Sequence, residues 1–462
     1  MDFSRRIYPL DTRQLTEEQL AVVFAMTSRN PNPFDEIAKI VTEDKAADFH
    51  ERWVLNYGHA SVAEHAIIHM AVENISRIAC DTLEDNRLAS YTEKSSRYQI
   101  LDQGCYHTPS ELDNHPLKTS YSAACDSLFT SYEQTLASLQ NYIGTTTPKR
   151  ENEKDQSYRL RLRREAIDTC RFLLPAATLT NVGVTMNARS WEHAILKLLS
   201  SQISEEREIG DIIKAQGQSI TPTLIKYADQ NEYLMSARND LSSLIADEDT
   251  PLVNYGDVHA KLIHYDPEAE TKLVTSLLYS TSYSTYEEIW ERVCAMDNQS
   301  RKQVISAALE RLGPHDIPLR ELEMIEYTFE LVMDYGAYRE FKRHRMQTYL
   351  SQKTNVDIGY FMPQIISDAG LEQSFHDAMN ISKDVFHELR AELPNVADYV
   401  ITHAHMRRVL CKINLRECYH LFKLRTQPTA HFTIRRVINQ AMELAQECHP
   451  LLFSFLKLRS SH

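Results

Sequence analysis

The triplet Arg343-His344-Arg345 brings together three side chains that can all carry positive charge, and Lys342 precedes it. A cluster of this kind repels itself unless an anion lies within it. The forked guanidinium donors of arginine suit phosphate, so the triplet indicates an anion-binding turn. A solvated basic turn is the alternative for a triplet met alone. An altered copy of the same stretch near residue 87 favours a specific site.

Composition indicates a globular, helix-rich protein whose basic clusters are local. The chain has 462 residues, a length that allows two or three domains of ordinary size. Of these residues, 43% are hydrophobic and 11 are glycines. A net charge of -14 argues against a broad nucleic-acid surface, so no nucleic-acid partner is expected. No apolar run approaches a membrane span, and MDFSRRIYPL lacks the apolar core of a signal peptide. We therefore expect no membrane partner and a cytoplasmic location. The eight cysteines form no CxxC pair and are expected to be reduced thiols, with no disulfide or metal site.

Hydrophobic spacing predicts the elements that position the basic residues. It indicates helices over 14–26, 34–56 and 118–142. Strand-like and helical periods mix in 61–77, which leaves that segment open. The charged stretch 144–165 is predicted to be a surface loop leading into a basic helix. Residues 170–202 are predicted to form apolar turns and then a helix from about Asn187. The tryptophans, Trp53, Trp191 and Trp290, are expected in the core.

The second half of the chain repeats landmarks of the first half in the same order. His59 corresponds to His315, and Arg87 corresponds to Arg345. The spacing of Asn187, Arg189 and His193 recurs in Asn414, Arg416 and His420. These ordered correspondences predict a duplicated domain, with copies at 1–250 and 251–462 and a turn-rich joint at ADEDTP.

Several of these segments together resemble the flavin-dependent thymidylate synthases. The segments are GHASVAEH (58–65), ISR (75–77), NRLASYTEKSSRY (86–98) and the triplet at 343–345. The family signature is Arg-His-Arg-x7-Ser, extended by x-Arg-Tyr. A GHxSxxEH segment precedes it and an Asn-x-Arg helix follows it. The resemblance spans both halves and implies an α/β fold of the α+β type, in which each of two homologous domains is a sheet flanked by helices.

The resemblance also implies ligands and an assembly. Family members bind FAD, deoxyuridine monophosphate (dUMP) and methylenetetrahydrofolate, and NADPH is the expected co-substrate that supplies electrons. Four domains assemble with the active sites between them. A chain with two such domains is therefore expected to form a homodimer, a pseudo-tetramer of four repeats.

The first copy keeps one half of the family's site. Asp85 and Asn86 replace the Arg and His that begin the triplet. The Ser-x-Arg-Tyr part at 95–98 is intact, and the arginine before the family's Leu-Pro turn stands here as Arg171. The family's helix arginine is replaced by Leu198.

The second copy keeps the other half. Its triplet is intact, and the helix arginine stands as Arg425. Lys353 and Asn355 replace the serine and arginine of the later segment, and Asp398 replaces the Leu-Pro arginine. In the family one subunit supplies the triplet and its partner supplies Ser-x-Arg. The two copies together therefore hold one complete set, which implies composite sites that draw on both repeats.

The resemblance assigns roles by position. The implied substrate-binding residues are Glu93, Ser95, Arg97, Tyr98, Arg171, Glu340, Arg343 and Arg425. The implied FAD-binding residues are His59, Ser61, Glu64, Arg343, His344, Arg345, Asn414, Arg416 and His420. Arg425 is also the expected catalytic residue, because a permanent cation eases loss of the uracil ring proton. The implied activity is reductive methylation of dUMP.

Alternatives stay open at the level of sequence. The set at Asn414 fits a buried capping network as well as a ligand, and which of the two Asn-x-Arg sets meets the flavin is undecided. His315 is interpreted as structural, because Ile317 and Arg320 stand where the first copy has serine and glutamate. A related enzyme could modify another pyrimidine nucleotide at C5. The lost residues also fit a non-catalytic nucleotide-binding or scaffolding homologue.

Overall fold

The computed structural model describes residues 5–10, 12–56, 58–244 and 259–458. The chain divides into two compact units: unit 1 comprises 1–250 and 380–400, and unit 2 comprises 251–379 and 401–462. The predicted joint at ADEDTP lies outside the described residues. Segment 380–400 follows the predicted joint in sequence and belongs to unit 1. The predicted boundaries did not include this segment in the first domain.

A three-stranded antiparallel sheet organises unit 1. Its strands are β1 (Ile67–Ser76), β2 (Ala89–Glu93) and β3 (Leu179–Asn187), in the order β1-β3-β2. β3 alternates buried side chains, at Thr180, Val182, Val184 and Met186, with more exposed ones. This is the period of a strand, so the prediction of apolar turns here was wrong. The undecided segment 61–77 forms a 3-10 helix, Ala60–His65, followed by β1.

Helices cover the sheet of unit 1. In chain order they are α1 (Glu17–Met26), α2 (Phe34–Ile40), α3 (Glu43–Phe49), α4 (Arg77–Leu83), α5 (Lys118–Thr146), α6 (Asp155–Cys170), α7 (Ala188–Leu199), α8 (Ser204–Gln218) and α9 (Glu232–Leu244). Shorter turns are a π-helix at His50–Asn56 and 3-10 helices at Ser110–Leu112 and Arg171–Leu173.

The predicted helices of the first half exist, but two boundaries differ from the prediction. The helix predicted over 34–56 breaks where Val41 is extended and Thr42 caps the next helix. The loop predicted over 144–165 is shorter, because α6 begins at Asp155. The prediction of a loop followed the high charge of this stretch. It overlooked that arginine, leucine and glutamate all favour helix. The helix predicted from Asn187 is α7, which Asn187 caps.

Unit 2 contains a four-stranded antiparallel sheet. Its strands are β4 (Ala260–Tyr265), β5 (Glu326–Asp334), β6 (Thr348–Ser351) and β7 (Met406–Asn414), in the order β4-β5-β7-β6. The remaining helices are α10 (Ala269–Tyr279), α11 (Tyr286–Cys294), α12 (Asn298–Leu309), α13 (Tyr335–Phe341), α14 (Gln364–Asp368), α15 (Glu372–Glu392), α16 (Pro394–Ala397), α17 (Leu415–Arg425), α18 (Phe432–Cys448) and α19 (Pro450–Phe453). Further 3-10 helices are Arg320–Met324, Val356–Ile358 and Asp398–Val400. Of these elements, α16, Asp398–Val400 and the part of α15 from residue 380 onward belong to unit 1.

The two sheets share one topology and one register. The order β1-β3-β2 recurs as β5-β7-β6, with β4 added at the edge. Ser90 pairs with Thr185 in unit 1, and Thr348 pairs with Lys412 at the equivalent place in unit 2. β1 has 10 residues and β5 has 9, because β1 alone of the two carries an irregularity after Val72. The duplication and the predicted fold class, two domains each with a sheet flanked by helices, are confirmed.

Only one tryptophan lies fully in the core. Trp191 is 0% exposed, whereas Trp53 and Trp290 are half-buried. Arg29 lies over the Trp53 ring and Tyr286 stacks on Trp290, so both rings cover the surface of their units. All eight cysteines are free thiols, as predicted. Within the described ranges, no helix is both long and apolar enough to cross a bilayer.

Candidate functional site

The triplet lies on the turn between α13 and β6 in unit 2. Phe341 is fully buried and Tyr338 is 5% exposed, so the end of α13 is anchored in the core. Arg343 and Arg345 are exposed, while His344 between them is 3% exposed. The alternation presents two guanidinium groups outward from a turn whose middle residue is fixed. Leu350, which follows this turn on β6, is 63% exposed.

Both ring nitrogens of His344 are hydrogen-bonded. Nε2 lies 2.9 Å from Nε of Arg425, and Nδ1 lies 2.9 Å from Oε1 of Glu417. Arginine Nε–H can only donate, so Nε2 must accept and Nδ1 must carry the proton. His344 is therefore a neutral imidazole that donates to Glu417. Burial, together with the charge of Arg425, lowers the pKa of His344 to about 3, which agrees with this neutral form.

Arg425 is held at the end of α17 by two further acceptors. Its Nη1 donates to Oε2 of Glu340 at 3.0 Å, and its Nη2 donates to the Glu340 carbonyl oxygen at 3.1 Å. Both side chains are largely buried, with 15% of Arg425 and 14% of Glu340 exposed. Two of the predicted substrate-binding residues, Glu340 and Arg425, are thus in direct contact, and the guanidinium plane has one orientation.

The set at Asn414 serves partly as a cap. Asn414 Oδ1 accepts from the backbone N of Glu417 at 2.8 Å, at the start of α17. Arg416 donates to the Pro318 carbonyl at 2.9 Å and to Glu323 at 2.5 Å. The His420 ring is exposed and its centroid lies 5.3 Å from that of His344. The capping alternative is therefore real for Asn414, while His420 lies next to the triplet.

The glutamate beside His344 is an unusual carboxylate. Burial raises the pKa of Glu417 to about 7, and the nearby His420 opposes this shift. Ligand atoms of His344, Glu417 and His420 lie within 4.8 Å of one another, a spacing that could hold a metal ion. Because both His344 nitrogens already make hydrogen bonds, a metal would have to displace one of them. The arrangement suits hydrogen bonding better than metal binding.

In unit 1 the Ser-x-Arg segment forms a tight turn after β2. Ser95 Oγ accepts from the backbone N of Arg97 at 3.2 Å. The Arg97 side chain makes a bidentate pair with Asp168 on α6, at 3.0 and 3.1 Å. Arg171 lies 3.3 Å from the same carboxylate and is 5% exposed. Unit 1 thus brings Arg97 and Arg171 together around one carboxylate, with Ser95 bonded to the Arg97 backbone. Arg164 lies over the Tyr98 ring.

Glu93, another predicted substrate residue, is deeply buried. It accepts from Arg77 and, at 3.0 Å, from the hydroxyl of Thr180. The Arg77 and Glu93 side chains are 2% and 4% exposed. Arg77 also donates to the Lys94 carbonyl at 3.1 Å, which ties α4 to the end of β2. This pair fixes the segment that leads to Ser95.

The GHASVAEH segment places its predicted residues at the surface. His59 and Ser61 are exposed, and the His59 ring lies 6.3 Å from Trp53. Glu64 accepts from Arg189 at 2.5 Å. Glu323 accepts from Arg416 at the same distance in unit 2. Glu64 precedes β1 by the same spacing as Glu323 precedes β5.

This repeated pair corrects the alignment of the second copy. Sequence comparison through His315 placed Arg320 opposite Glu64, but the sheet register places Glu323 there. The alignment error of three residues arose because the comparison was anchored on His59 and His315, which do not occupy equivalent places. Unit 2 therefore retains the glutamate, and His59 matches Pro318 in place of His315.

Residues that differ between the copies have local structural roles. Asp85 pairs with Lys197 at 2.9 Å, and Asn86 donates to the Leu83 carbonyl at 2.9 Å. Leu198, at the place of Arg425, is 1% exposed in the core. Asn355 caps a 3-10 turn through the backbone N of Asp357. The contact between His344 and Arg425 thus has no counterpart at Asn86 and Leu198, the equivalent positions of unit 1.

Four contributors were not predicted from the sequence: Asp168, Arg77, Glu323 and Glu417. Asp168 stands three residues before Arg171, one helical turn away, which is a signal for a shared face. Glu417 stands three residues after the cap Asn414, the spacing of a capping motif. Nothing in the sequence linked Arg77 to Glu93, because their contact depends on how the sheet is formed.

Comparison with known proteins gives the family. The family model described as thymidylate synthase complementing protein matches residues 12–223 and again 261–451. A "UPF0159 protein" of Chlamydia muridarum is 32% identical over 433 residues, covering 89% of this chain and 81% of that protein. The "UPF0159 protein Ta1429" of Thermoplasma acidophilum is 26% identical over 90% of this chain and 89% of its own length. A "Flavin-dependent thymidylate synthase" of Clostridium tetani is 28% identical over 214 residues, 46% of this chain and 82% of that protein. The chain belongs to the flavin-dependent thymidylate synthase family, as a member with two repeats.

Proposed function

We propose that the protein is a flavin-dependent thymidylate synthase that reductively methylates dUMP, using FAD, methylenetetrahydrofolate and NADPH. The observation that carries this proposal is the complementary content of the two units. Unit 1 holds Arg97 and Arg171 around Asp168, and unit 2 holds Arg425 against His344. The second repeat has Asn355 and Asp398 at the places of Arg97 and Arg171, and the first repeat has Asn86 and Leu198 at the places of His344 and Arg425. Together they provide one complete family set.

The nucleotide half is proposed to lie in unit 1. Ser95 and Arg97 supply hydroxyl and guanidinium donors from one turn, as a phosphate requires. Asp168 holds the Arg97 guanidinium in one plane, so little side-chain entropy is lost when an anion binds. Arg171, next to the same carboxylate, adds a second cation. Three charged groups with a net positive charge favour a dianionic ligand.

The flavin half is proposed to lie in unit 2. The exposed guanidinium groups of Arg343 and Arg345, one on each side of buried His344, fit the pyrophosphate of FAD. His420 and Arg416 lie on the helix that packs beside this turn, which supports their predicted roles near the cofactor. When bound, the flavin supplies the hydride for the reductive methylation. The side chains of the protein bind the flavin and orient it.

Arg425 is proposed as the catalytic residue. A permanent cation close to the uracil ring stabilises the anion that forms when the ring N–H is lost. His344 is neutral, so it orients Arg425 without adding a second positive charge. Glu340 fixes the other edge of the guanidinium. We propose that Glu340 and Arg343 also contact the substrate, and that the protein acts as a homodimer.

Product formation tests this proposal. The full-length protein is purified, its absorbance is checked for flavin, and it is incubated with FAD, dUMP, methylenetetrahydrofolate and NADPH. Chromatography should show thymidine monophosphate, with uridine monophosphate as the control acceptor. A flavin-containing protein that methylates only the ribonucleotide would indicate a different C5-modifying enzyme. A protein that binds nucleotide but no flavin would support the scaffolding alternative.

A further inference from the structure

Three buried groups in unit 2 form a directed hydrogen-bond chain. Glu417, His344 and Arg425 are linked at 2.9 Å in both steps. Glu417 is 6% exposed and His344 is 3% exposed. The donor direction is fixed from the Arg425 end, because Arg425 can only donate and a neutral imidazole has one proton to place. The chain therefore requires His344 to carry its proton on Nδ1.

The equivalent positions of unit 1 have all changed together. The shared register places Ser190 where Glu417 stands, Asn86 where His344 stands, and Leu198 where Arg425 stands. Asn86 instead donates to the Leu83 carbonyl. The carboxylate is thus present in the repeat that has the histidine and arginine, and absent from the repeat that lacks them. A carboxylate kept only for helix capping would have no reason to follow the other two residues.

We propose that Glu417 is a positioning residue, which acts through the His344 tautomer to hold Arg425 in its working orientation. This inference rests on the proposed function of Arg425. Without the carboxylate, the imidazole is free to place its proton on Nε2. Two N–H groups would then point at each other between His344 and Arg425, and the guanidinium would lose an acceptor. In metal sites, a carboxylate that orients a ligating histidine typically costs about 10- to 100-fold in affinity or activity when it is mutated.

The experiment compares Glu417→Ala and Glu417→Gln in the full-length protein. Glutamine keeps a carbonyl oxygen for Nδ1–H, so it should preserve the tautomer without the negative charge. Ser190→Ala, at the matching position of unit 1, is the control. The first readout is the ¹⁵N spectrum of the imidazole, with His344 assigned by the loss of its signals in His344→Gln. The second readout is kcat and KM for dUMP, with flavin content measured alongside.

Glu417→Ala should convert part of His344 to the Nε2–H form and lower kcat roughly ten- to hundredfold, with flavin content and the KM for dUMP little changed. Glu417→Gln should restore most of the native tautomer of His344 and most of kcat. Ser190→Ala should change neither the tautomer nor kcat. An unaltered His344 tautomer in Glu417→Ala would overturn the proposal. So would a Glu417→Gln variant with the native tautomer and the kcat of Glu417→Ala. If the wild type lacks synthase activity, the proposed function fails, yet the tautomer readout still reports on the positioning.

Discussion

His344 accepts a hydrogen bond from Nε of Arg425 at 2.9 Å, in the buried part of unit 2. This contact joins the middle residue of the triplet to the helix arginine, two motifs that lie far apart in the sequence. It explains why the outer members of the triplet are exposed and the histidine is not. The predicted anion site and the predicted catalytic cation are therefore parts of one rigid structure.

Arg425→Ala should stop turnover while flavin stays bound. Removing a preorganised cation from a forming anion typically costs about 10²- to 10³-fold in kcat. The variant should also lose about 1–3 kcal/mol of stability, because His344 loses its donor in a buried place. The measurements are product formation, flavin absorbance and thermal unfolding. Leu198→Met, at the matching position in unit 1, is the control and should leave kcat unchanged. Full activity of Arg425→Ala would remove it from the mechanism.

Arg343→Ala and Arg345→Ala should each release flavin without unfolding the protein. Both side chains are exposed, so their loss costs little packing. Each lost charge-assisted contact should weaken FAD roughly 10- to 150-fold, the equivalent of about 1.5–3 kcal/mol. Fluorescence titration with FAD measures this. Arg87→Ala, at the place of Arg345 in the first repeat, should retain wild-type affinity. Equal flavin loss in Arg87→Ala would mean that both repeats bind the cofactor.

Arg97→Ala should weaken nucleotide binding roughly 10- to 150-fold. It removes the guanidinium that Asp168 holds in a bidentate pair, and with it a phosphate contact of about 1.5–3 kcal/mol. Asn355→Ser changes the matching residue of the second repeat but keeps an oxygen for its cap. That variant should bind dUMP as the wild type does. Calorimetric titration with dUMP compares the two, and similar losses in both would contradict the division of roles.

The stability of the protein should depend on Glu206 in a defined pH window. Burial raises the pKa of Glu206 to about 7, although Thr82 donates to its carboxylate at 2.6 Å. The folded protein holds this proton more tightly than the unfolded chain does, so the free energy of unfolding falls as pH rises from about 4.5 to 7. Glu206→Gln should remove this fall.

Measured against the wild type, Glu206→Gln should become more stable as pH rises, with a gain approaching roughly 3 kcal/mol above pH 7. Urea unfolding at pH 5 and pH 8 gives the two differences. A gain that is the same at both pH values would show that Glu206 does not titrate in this window.

The fold class and the residues of the proposed site could both be named from the sequence, whereas one strand and several side-chain partners could not. The triplet, Arg97, Arg171 and Arg425 could be identified because their spacing follows a family pattern. β3 was missed because the alternation of its buried and exposed side chains follows directly on a continuously apolar segment. The partners Asp168 and Glu417 were missed because their roles depend on side chains brought together by packing. Glu323 was missed because the comparison was anchored on His315, which the sheet register does not place opposite His59.

The number of ligands bound per chain tests the central claim most directly. If each repeat supplies one half of the site, the wild-type protein should bind one FAD and one dUMP per chain. These values come from flavin absorbance after denaturation and from calorimetric titration of the flavin-loaded protein with dUMP. Arg97→Ala should weaken dUMP binding roughly 10- to 150-fold while the FAD count stays at one. Two nucleotides per chain in the wild type, or wild-type dUMP affinity in Arg97→Ala, would contradict the account.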